Sequence, residues 1–360
     1  MSEVKLDTPK TKGSNIFGLI KEKLLGHNFL LFVTITLFFV MYIAGLILYK
    51  DKNFGNPQVF LNLIISNAGL IITAVGMTMV LIIGGIDISV GSVIAVTCMM
   101  LAALMEKAHI GAVPAIIIVL MFGILFGALQ GWLITYLRIQ PFIVTLAGMF
   151  FARGLTAVIS LEMITITNKT FLGLAKYKIY LPFGGTVNRR GVMIYPYIYP
   201  TVLIALFVLV AAFIMLKFTK FGRTIYAVGG SEQSAMLMGL NVRRTKFTVY
   251  VINGFLATLG GIAFCLNTTG AFVELGKGFE MDAIAATVIG GTPLTGGVGN
   301  VFGTLFGVLI NATIETFVSF QGNLSSWWSK IIIASLLAFF IVLQSLLAMR
   351  KERANTRRVS

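Results

Sequence analysis

The chain has 360 residues, of which 57% are hydrophobic and only 11% charged, and its formal net charge is +15. Soluble domains carry about 25% charged residues, so the composition excludes an ordinary soluble protein and predicts an all-α, polytopic membrane protein. A nucleic-acid-binding protein would need a basic face clustered on a soluble domain, which the sequence lacks. The two cysteines, Cys98 and Cys265, stand in apolar stretches and are expected to be small buried residues.

Charge-free runs predict about ten transmembrane helices, since a helix needs about 20 residues to cross the hydrocarbon. We expect a cytoplasmic N-terminal tail (residues 1–27), a membrane domain (28–349) and a cytoplasmic C-terminal tail (350–360). The first apolar run is expected to be a retained span rather than a removed signal peptide. The spans are expected within Phe29–Tyr49, Asn53–Ile86, Ile88–Met105, Ala108–Leu137, Ile139–Leu161, Gly191–Leu216, Phe247–Val273, Ala283–Ile314 (two spans) and Ile331–Met349.

Basic residues predict that both termini lie in the cytoplasm, because cytoplasmic loops of membrane proteins are rich in Lys and Arg. Lysines precede the first span, and arginines follow the last. The segment 218–246, between the sixth and seventh spans, is basic as well, and an even number of spans puts all three on one side. The longest outside loop is expected at 162–190, and it also carries basic residues, which long loops tolerate.

Two similar glycine-containing interruptions follow the second and the eighth spans. Both begin Ile-Gly-Gly, at Ile83 and Ile289, and both have a further glycine seven residues after the first one. Broken apolar segments in corresponding halves indicate an internal repeat that lines a transport pathway, although simple turns at the membrane surface would have the same composition. The candidate pathway residues are Asn67, Gly84, Gly85, Asp87, Ser89, Asn253, Gly290, Gly291 and Thr292.

Ionisable residues within the predicted spans are few, namely Asp87, Arg153 and Glu315, with Glu280 and Asp282 near a boundary. A charge inside the bilayer is costly and is therefore a functional hypothesis by default. A proton- or sodium-coupled carrier normally has more carboxylates. We therefore expect structural roles: Asp87 as a helix cap, and Arg153 as a structural charge that binds a carboxylate or backbone carbonyls.

The cytoplasmic segment 218–246 is predicted to contain a short helix that begins after Ser231 and Glu232, covers Gln233–Met238 and ends at Gly239. A short amphipathic helix between basic residues favours a docking element, and an interfacial helix lying on lipid headgroups is the alternative. No phosphate-binding loop, metal motif or catalytic set is recognisable in the sequence. We therefore expect a transport subunit that is not an enzyme and binds no cofactor itself.

Several stretches taken together resemble the permeases of ABC importers of the ribose/galactose/xylose class. The resemblance covers roughly residues 60–345 and lies in the following stretches, in order: 74–78, 84–92, 140–149, 227–230 through Gly239, 282–285, 288–292 and 296–304. Within the class, residues 324–331 (LSSWWSKI) and 148–154 (GMFFARG) look most like one permease of a galactofuranose importer. Residues 170–197 do not align with the class.

The resemblance implies ten helices, a partner ATPase with two nucleotide-binding domains that holds Mg-ATP, and an extracytoplasmic sugar-binding protein. It also implies a second permease subunit, a different chain in the galactofuranose type, and an inner-membrane location. ATP would close the nucleotide domains, which would pull on the segment Gly229–Leu240. The residues that match the family's ATPase-coupling loop are Tyr226, Gly229, Glu232, Ala235, Met238, Gly239 and Leu240.

Three other readings stay open at the level of sequence. An ABC permease could carry ribose, galactose, xylose or a nucleoside instead of galactofuranose. An ion-coupled secondary carrier would take up sugar without ATP. A membrane enzyme is disfavoured, since a catalytic set is not recognisable.

Overall fold

The computed structural model describes residues 29–187, 193–323 and 325–359, and the side chains among them up to residue 346 except that of Val187. The expected N-terminal tail, residues 1–27, lies outside the described residues. The structure is predominantly helical, with helices α1 (Phe29–Leu48), α2 (Pro57–Ser66), α3 (Ala68–Ile82), α4 (Val90–Glu106), α5 (Ala112–Thr135), α6 (Pro141–Ile159), α7 (Lys169–Lys176), α8 (Pro200–Phe218), α9 (Lys220–Gly230), α10 (Glu232–Leu237), α11 (Val242–Thr268), α12 (Phe279–Ile289), α13 (Val301–Gln321) and α14 (Trp327–Val359). A 3-10 turn at Lys50–Lys52 follows α1.

Seven of the described helices are long and apolar enough to cross a membrane, namely α1, α5, α6, α8, α11, α13 and the first part of α14. Helices α2 and α3 meet at a bend of 53°, and if the two together form one span, the described residues contain eight candidate spans. The predicted count of ten is therefore not confirmed. The remaining two predicted spans correspond to α4, which has 17 residues, and α12, which has 11. The glycine-containing interruptions shorten both helices, since α4 begins after the first and α12 ends at the second.

The ends of the helices gather on two opposite faces. On one face, Glu106 at the end of α4 accepts hydrogen bonds from Thr167 and Asn168, and strand β1 (Ile164–Thr165) pairs with β6 (Gly270–Ala271). We call this the loop face. On the other face, the Gly297 amide donates to the Ile82 carbonyl, and Gly229 packs against both. We call this the glycine face. The two faces give the molecule the layout of a membrane-spanning bundle.

The core is built around α3, α4 and α11. Every residue of α3 is buried, and α3 is packed by α11, α12, α8 and α13. Small residues allow close packing where α11 crosses α5, since the backbone of Gly127 contacts that of Gly254. Close approach at glycines is characteristic of helices packed within membranes. Cys98 and Cys265 are both buried and free, as the sequence predicted.

Two helix boundaries differ from the predicted spans for physical reasons. α11 begins at Val242 rather than Phe247, because Arg243, Arg244 and Lys246 form its first turns beyond the apolar part. α8 begins at Pro200 rather than Gly191, because strands β4 (Met193–Ile194) and β5 (Tyr197–Ile198) come first. β4 pairs with β3 (Thr186–Val187), and β5 pairs with β2 (Ile179–Tyr180), so the connection from α6 to α8 extends past the predicted 162–190.

Candidate functional site

The two interruptions lie against each other on the glycine face. Ile82, the last residue of α3, accepts a 2.8 Å hydrogen bond through its carbonyl from the Gly297 amide. Gly296 comes within contact distance of Gly84, and both have positive φ, +80° and +74°. Positive φ is routinely accessible only to glycine. The predicted glycine-broken segments are therefore confirmed, and they form one junction between the α3–α4 and α12–α13 connections.

The segment from α9 to α10 is attached directly to this junction. Gly229 lies so close to Ile82 and Gly297 that a Cβ atom there would overlap the Ile82 carbonyl oxygen. The Tyr226 hydroxyl donates a 2.8 Å hydrogen bond to the carbonyl of Gly299. A displacement of α9 would therefore be transmitted to both interruptions through backbone contacts. Helix α9, which begins at Lys220 with Thr219 as its cap, was not predicted from the sequence.

Helix α10 projects an apolar tip from the glycine face. Its cap is Ser231, whose hydroxyl accepts from the Ser234 amide, and the chain reverses at Gly239, which has φ +77°. The short helix predicted after Ser231 is thus present as Glu232–Leu237. Met236, Leu237 and Met238 are 58%, 83% and 67% exposed. Exposed apolar side chains grouped in this way are typical of a surface that contacts a protein partner or lipid.

The other predicted coupling residues divide between anchoring and exposed positions. Ala235 is buried and fixes α10 to the bundle, and Leu240 is half-buried beside it. Glu232 is exposed and forms an ion pair with Lys246 of α11. An exposed ion pair contributes at most about 1 kcal/mol, so this pair adds little to the stability of the fold. Met236 and Leu237 were not among the predicted residues, because their exposure depends on how α10 is oriented.

Asp87, Ser89 and Asn253 form a buried polar network inside the bundle. The Ser89 amide and hydroxyl donate to Asp87 Oδ1, at 2.8 and 2.6 Å. Asn253 Nδ2 donates to Asp87 Oδ2 at 2.6 Å, and Gln130 Nε2 donates to Ser89 Oγ at 2.9 Å. All four side chains are buried. The network ties the α3–α4 connection to α5 and α11.

The network lies deep in the bundle rather than at its surface. Asn253 is the twelfth residue of α11, about 16 Å from the start of that helix. Backbone that is not helical at membrane depth must have its polar groups satisfied by protein or water, and Asp87 provides such acceptors for Ser89. The N-cap position of α4 is Ser89, and the predicted capping contact of Asp87 is present as the hydrogen bond that it accepts from the Ser89 amide. Gln130 was missed because nothing in sequence places it near residue 89.

The remaining predicted pathway residues are dispersed. Gly84 and Gly85 belong to the same connection as Asp87. The second interruption begins with Gly290, Gly291 and Thr292. There, Gly290 packs on Gly303 of α13, and Thr292 is buried. Asn67 lies apart from both, at the bend between α2 and α3, and its side chain donates to Leu63. The structure therefore brings the two interruptions together and separates Asn67 from them.

Arg153 of α6 has backbone partners. Its Nη1 atom donates to the carbonyls of Val273 and Leu275, at 2.7 and 2.8 Å. The sequence predicted either a carboxylate or backbone carbonyls as the partner of Arg153, and the structure shows backbone carbonyls. Arg153 thereby fixes the non-helical segment that precedes α12.

The comparisons with known proteins agree with this layout. Residues 59–341 match the family described as "Branched-chain amino acid transport system / permease component". Among curated proteins, the chain is 43% identical over 318 residues to the inner membrane ABC transporter permease protein YjfF of Escherichia coli, covering 88% of this chain and 92% of the relative. It is 38% identical to the fructose import permease protein FruG of Bifidobacterium longum, covering 79% of this chain and 81% of FruG. It is 34% identical to the ribose import permease protein RbsC of E. coli, covering 82% and 88%. No solved structure matches the chain.

The chain is thus a multi-pass membrane protein, and it belongs to this family of transport-system permease components. The relatives are permease components of ABC transporters, which are not themselves enzymes.

Proposed function

We propose that the chain is the membrane-spanning subunit of an ATP-driven sugar importer in the cell inner membrane. The relatives FruG and RbsC are named for the import of fructose and ribose, and MglC of Haemophilus influenzae, 28% identical, for galactose and methyl galactoside. These names support a monosaccharide as the substrate. The stretches 148–154 and 324–331 favour galactofuranose within that class.

The proposed importer needs three further proteins. ATP hydrolysis requires a separate ABC ATPase with two nucleotide-binding domains, which would hold Mg-ATP. A second permease subunit, a different chain in the galactofuranose type, would complete the path, and an extracytoplasmic binding protein would deliver the sugar. The permease chain itself would hold no cofactor.

The exposed tip of α10, connected through α9 to both interruptions, carries the proposal. Met236, Leu237 and Met238 would insert into an apolar cleft of the ATPase, because apolar anchors that fill pockets dominate the energetics of interfaces. Motion of the ATPase would then reach Gly229, and through it Ile82 and Gly297, along backbone contacts. The rival reading, an ion-coupled carrier, requires no such cytoplasmic docking element.

The test replaces Leu237 by Glu in the importer produced together with its ATPase. A carboxylate at the most exposed apolar residue of the tip should lower the affinity for the ATPase about 30-fold or more, the effect of a lost interface anchor. Co-purification of the ATPase with the tagged permease, and sugar-stimulated ATP hydrolysis, measure the effect. Leu174→Glu, an exposed leucine of α7 on the opposite face, is the matched control.

Normal co-purification and normal uptake in Leu237→Glu would refute the docking role of α10. Uptake that persists after ATP depletion and stops with an uncoupler would instead establish the secondary carrier.

A further inference from the structure

The exposed surfaces of α5, α6 and α8 are apolar throughout their middle portions. Examples are Leu125 on α5, Phe151 on α6 and Phe207 on α8, which are 67%, 60% and 73% exposed. Helix surfaces that contact the hydrocarbon of the bilayer carry apolar side chains. These three helices therefore present a surface suited to contact with lipid.

A charged surface lies on another side, where α12, α13 and α14 meet. Lys330 Nζ of α14 forms an ion pair with Asp282 Oδ2 of α12 at 2.6 Å, and the lysine side chain is 44% exposed. Glu315 of α13 is exposed, and Asn311, one turn earlier on the same helix face, donates to the Asp282 carbonyl at 3.4 Å. Trp327, 77% exposed, precedes Lys330 by three residues, so the two share one face of α14. We call Asp282, Glu315, Lys330 and Trp327 the charged face.

Glu315 stands within α13 rather than at the loop-face end of that helix. Glu315 is six residues before the end of α13 at Gln321, which places it about 9 Å inside the loop-face end of that helix. A carboxylate is short and cannot extend to the membrane surface as a lysine can. Its negative charge is also only partly offset, because Lys330 already pairs with Asp282. An exposed carboxylate at this depth requires water or polar partners, since lipid provides neither.

We infer that the charged face is the loop-face mouth of the sugar path, and this inference rests on the proposed import function. Carboxylates accept hydrogen bonds from sugar hydroxyls, and an ammonium group donates to them. The Trp327 ring offers an apolar surface for the C–H face of a sugar ring, so the four residues provide the mixed lining typical of ligand sites. The ligand class is a neutral polyhydroxylated ring. The deep pathway candidates Asp87, Ser89 and Asn253 are instead held by each other.

The test measures the accessibility of single cysteines in the assembled importer. Cys98 and Cys265 are buried, so their replacement by alanine gives a background free of thiols. Glu315→Cys should react with a charged, membrane-impermeant thiol reagent added from the loop-face side, and excess substrate sugar with its binding protein should slow the reaction about tenfold. Phe207→Cys is the control, since it lies at a comparable depth, seven residues from the start of α8, on the surface suited to contact with lipid.

Glu315→Leu should lower sugar uptake about tenfold, the effect of one charged hydrogen bond, while Glu315→Gln should retain most of it. If Glu315→Cys is as unreactive as Phe207→Cys, or reacts equally fast with and without sugar, the inference is wrong. Efficient crosslinking of Glu315→Cys to the second permease without labelling would also overturn it and identify a dry interface. The unaltered importer is assayed in parallel: if it carries no sugar, the proposed function fails instead.

Discussion

Gly229 and Gly230 are adjacent in α9 but differ in the space around them. A Cβ atom at Gly229 would overlap the carbonyl oxygen of Ile82 and lie 2.7 Å from the Gly297 amide nitrogen, whereas nothing lies within 4 Å of one at Gly230. Gly229→Ala should therefore displace α9 from the junction, at a cost typical of overpacking, about 1–3 kcal/mol. We expect Gly229→Ala to lose most sugar-stimulated ATPase activity.

Gly230→Ala is the matched control, because it adds the same methyl group to the same helix. It should be neutral or slightly stabilising, since alanine favours helix by about 1 kcal/mol over glycine. Thermal denaturation in detergent and coupled ATPase activity compare the two variants. Equal behaviour of the pair would show that the close contact of α9 with Ile82 does not transmit motion.

The Asp87 network is the second feature that depends on single side chains. Asp87→Ala removes the acceptor for the Ser89 amide, the Ser89 hydroxyl and the Asn253 amide group. Each buried donor left unpaired costs about 1–3 kcal/mol, so the variant should denature at a markedly lower temperature than the parent in detergent. Heating followed by size-exclusion chromatography of the remaining monodisperse protein measures the effect.

A double exchange, Asp87→Asn with Asn253→Asp, keeps one carboxylate and one carboxamide in the same pair of positions. It should recover stability relative to either single exchange, because the contact between residues 87 and 253 again joins a donor to a carboxylate. A network that only fills space would show no such recovery.

At the scale of elements, the sequence predicts a helix correctly when the residues at the two ends of that helix determine where it begins and ends. α10 was predictable, since Ser231 caps it and Gly239 ends it, both within the same ten residues. α9 was not, because Gly222, Gly229 and Gly230 are poor helix formers. The bundle nevertheless needs those glycines: Gly222 packs against the end of α8, and Gly229 against Ile82. Tertiary packing therefore overrides local propensity in α9.

The polar network also includes a residue that could not be predicted from sequence, because its contact joins different helices. Asp87 and Ser89 were conspicuous in sequence as polar residues among apolar ones, and the structure joins them to Asn253, another predicted residue. Gln130 could not be found in this way. Residue 130 lies 41 positions from Ser89, and only the packing of α5 on α11 brings its amide to the Ser89 hydroxyl.

At the scale of the whole molecule, charge distribution predicts which face is cytoplasmic. The glycine face carries six basic residues between α8 and the start of α11, namely Lys217, Lys220, Arg223, Arg243, Arg244 and Lys246, with Glu232 as the only acidic residue in 217–246. The loop face carries both signs, for example Glu106, Glu162, Lys176 and Lys178. Because basic residues are retained in the cytoplasm, we expect the glycine face inside and the loop face outside.

Two single cysteines test this orientation in a background without Cys98 and Cys265. Gly230→Cys lies at an open position on the glycine face, and Tyr180→Cys replaces a side chain that is 61% exposed beside α7 on the loop face. An impermeant maleimide added to intact cells should label residue 180 and not residue 230, and inverted membrane vesicles should give the reverse. Labelling of residue 230 in intact cells would place α10 on the side without ATP. In that case no cytoplasmic ATPase could contact its apolar tip, and the proposed importer would be wrong irrespective of which sugar the cell takes up.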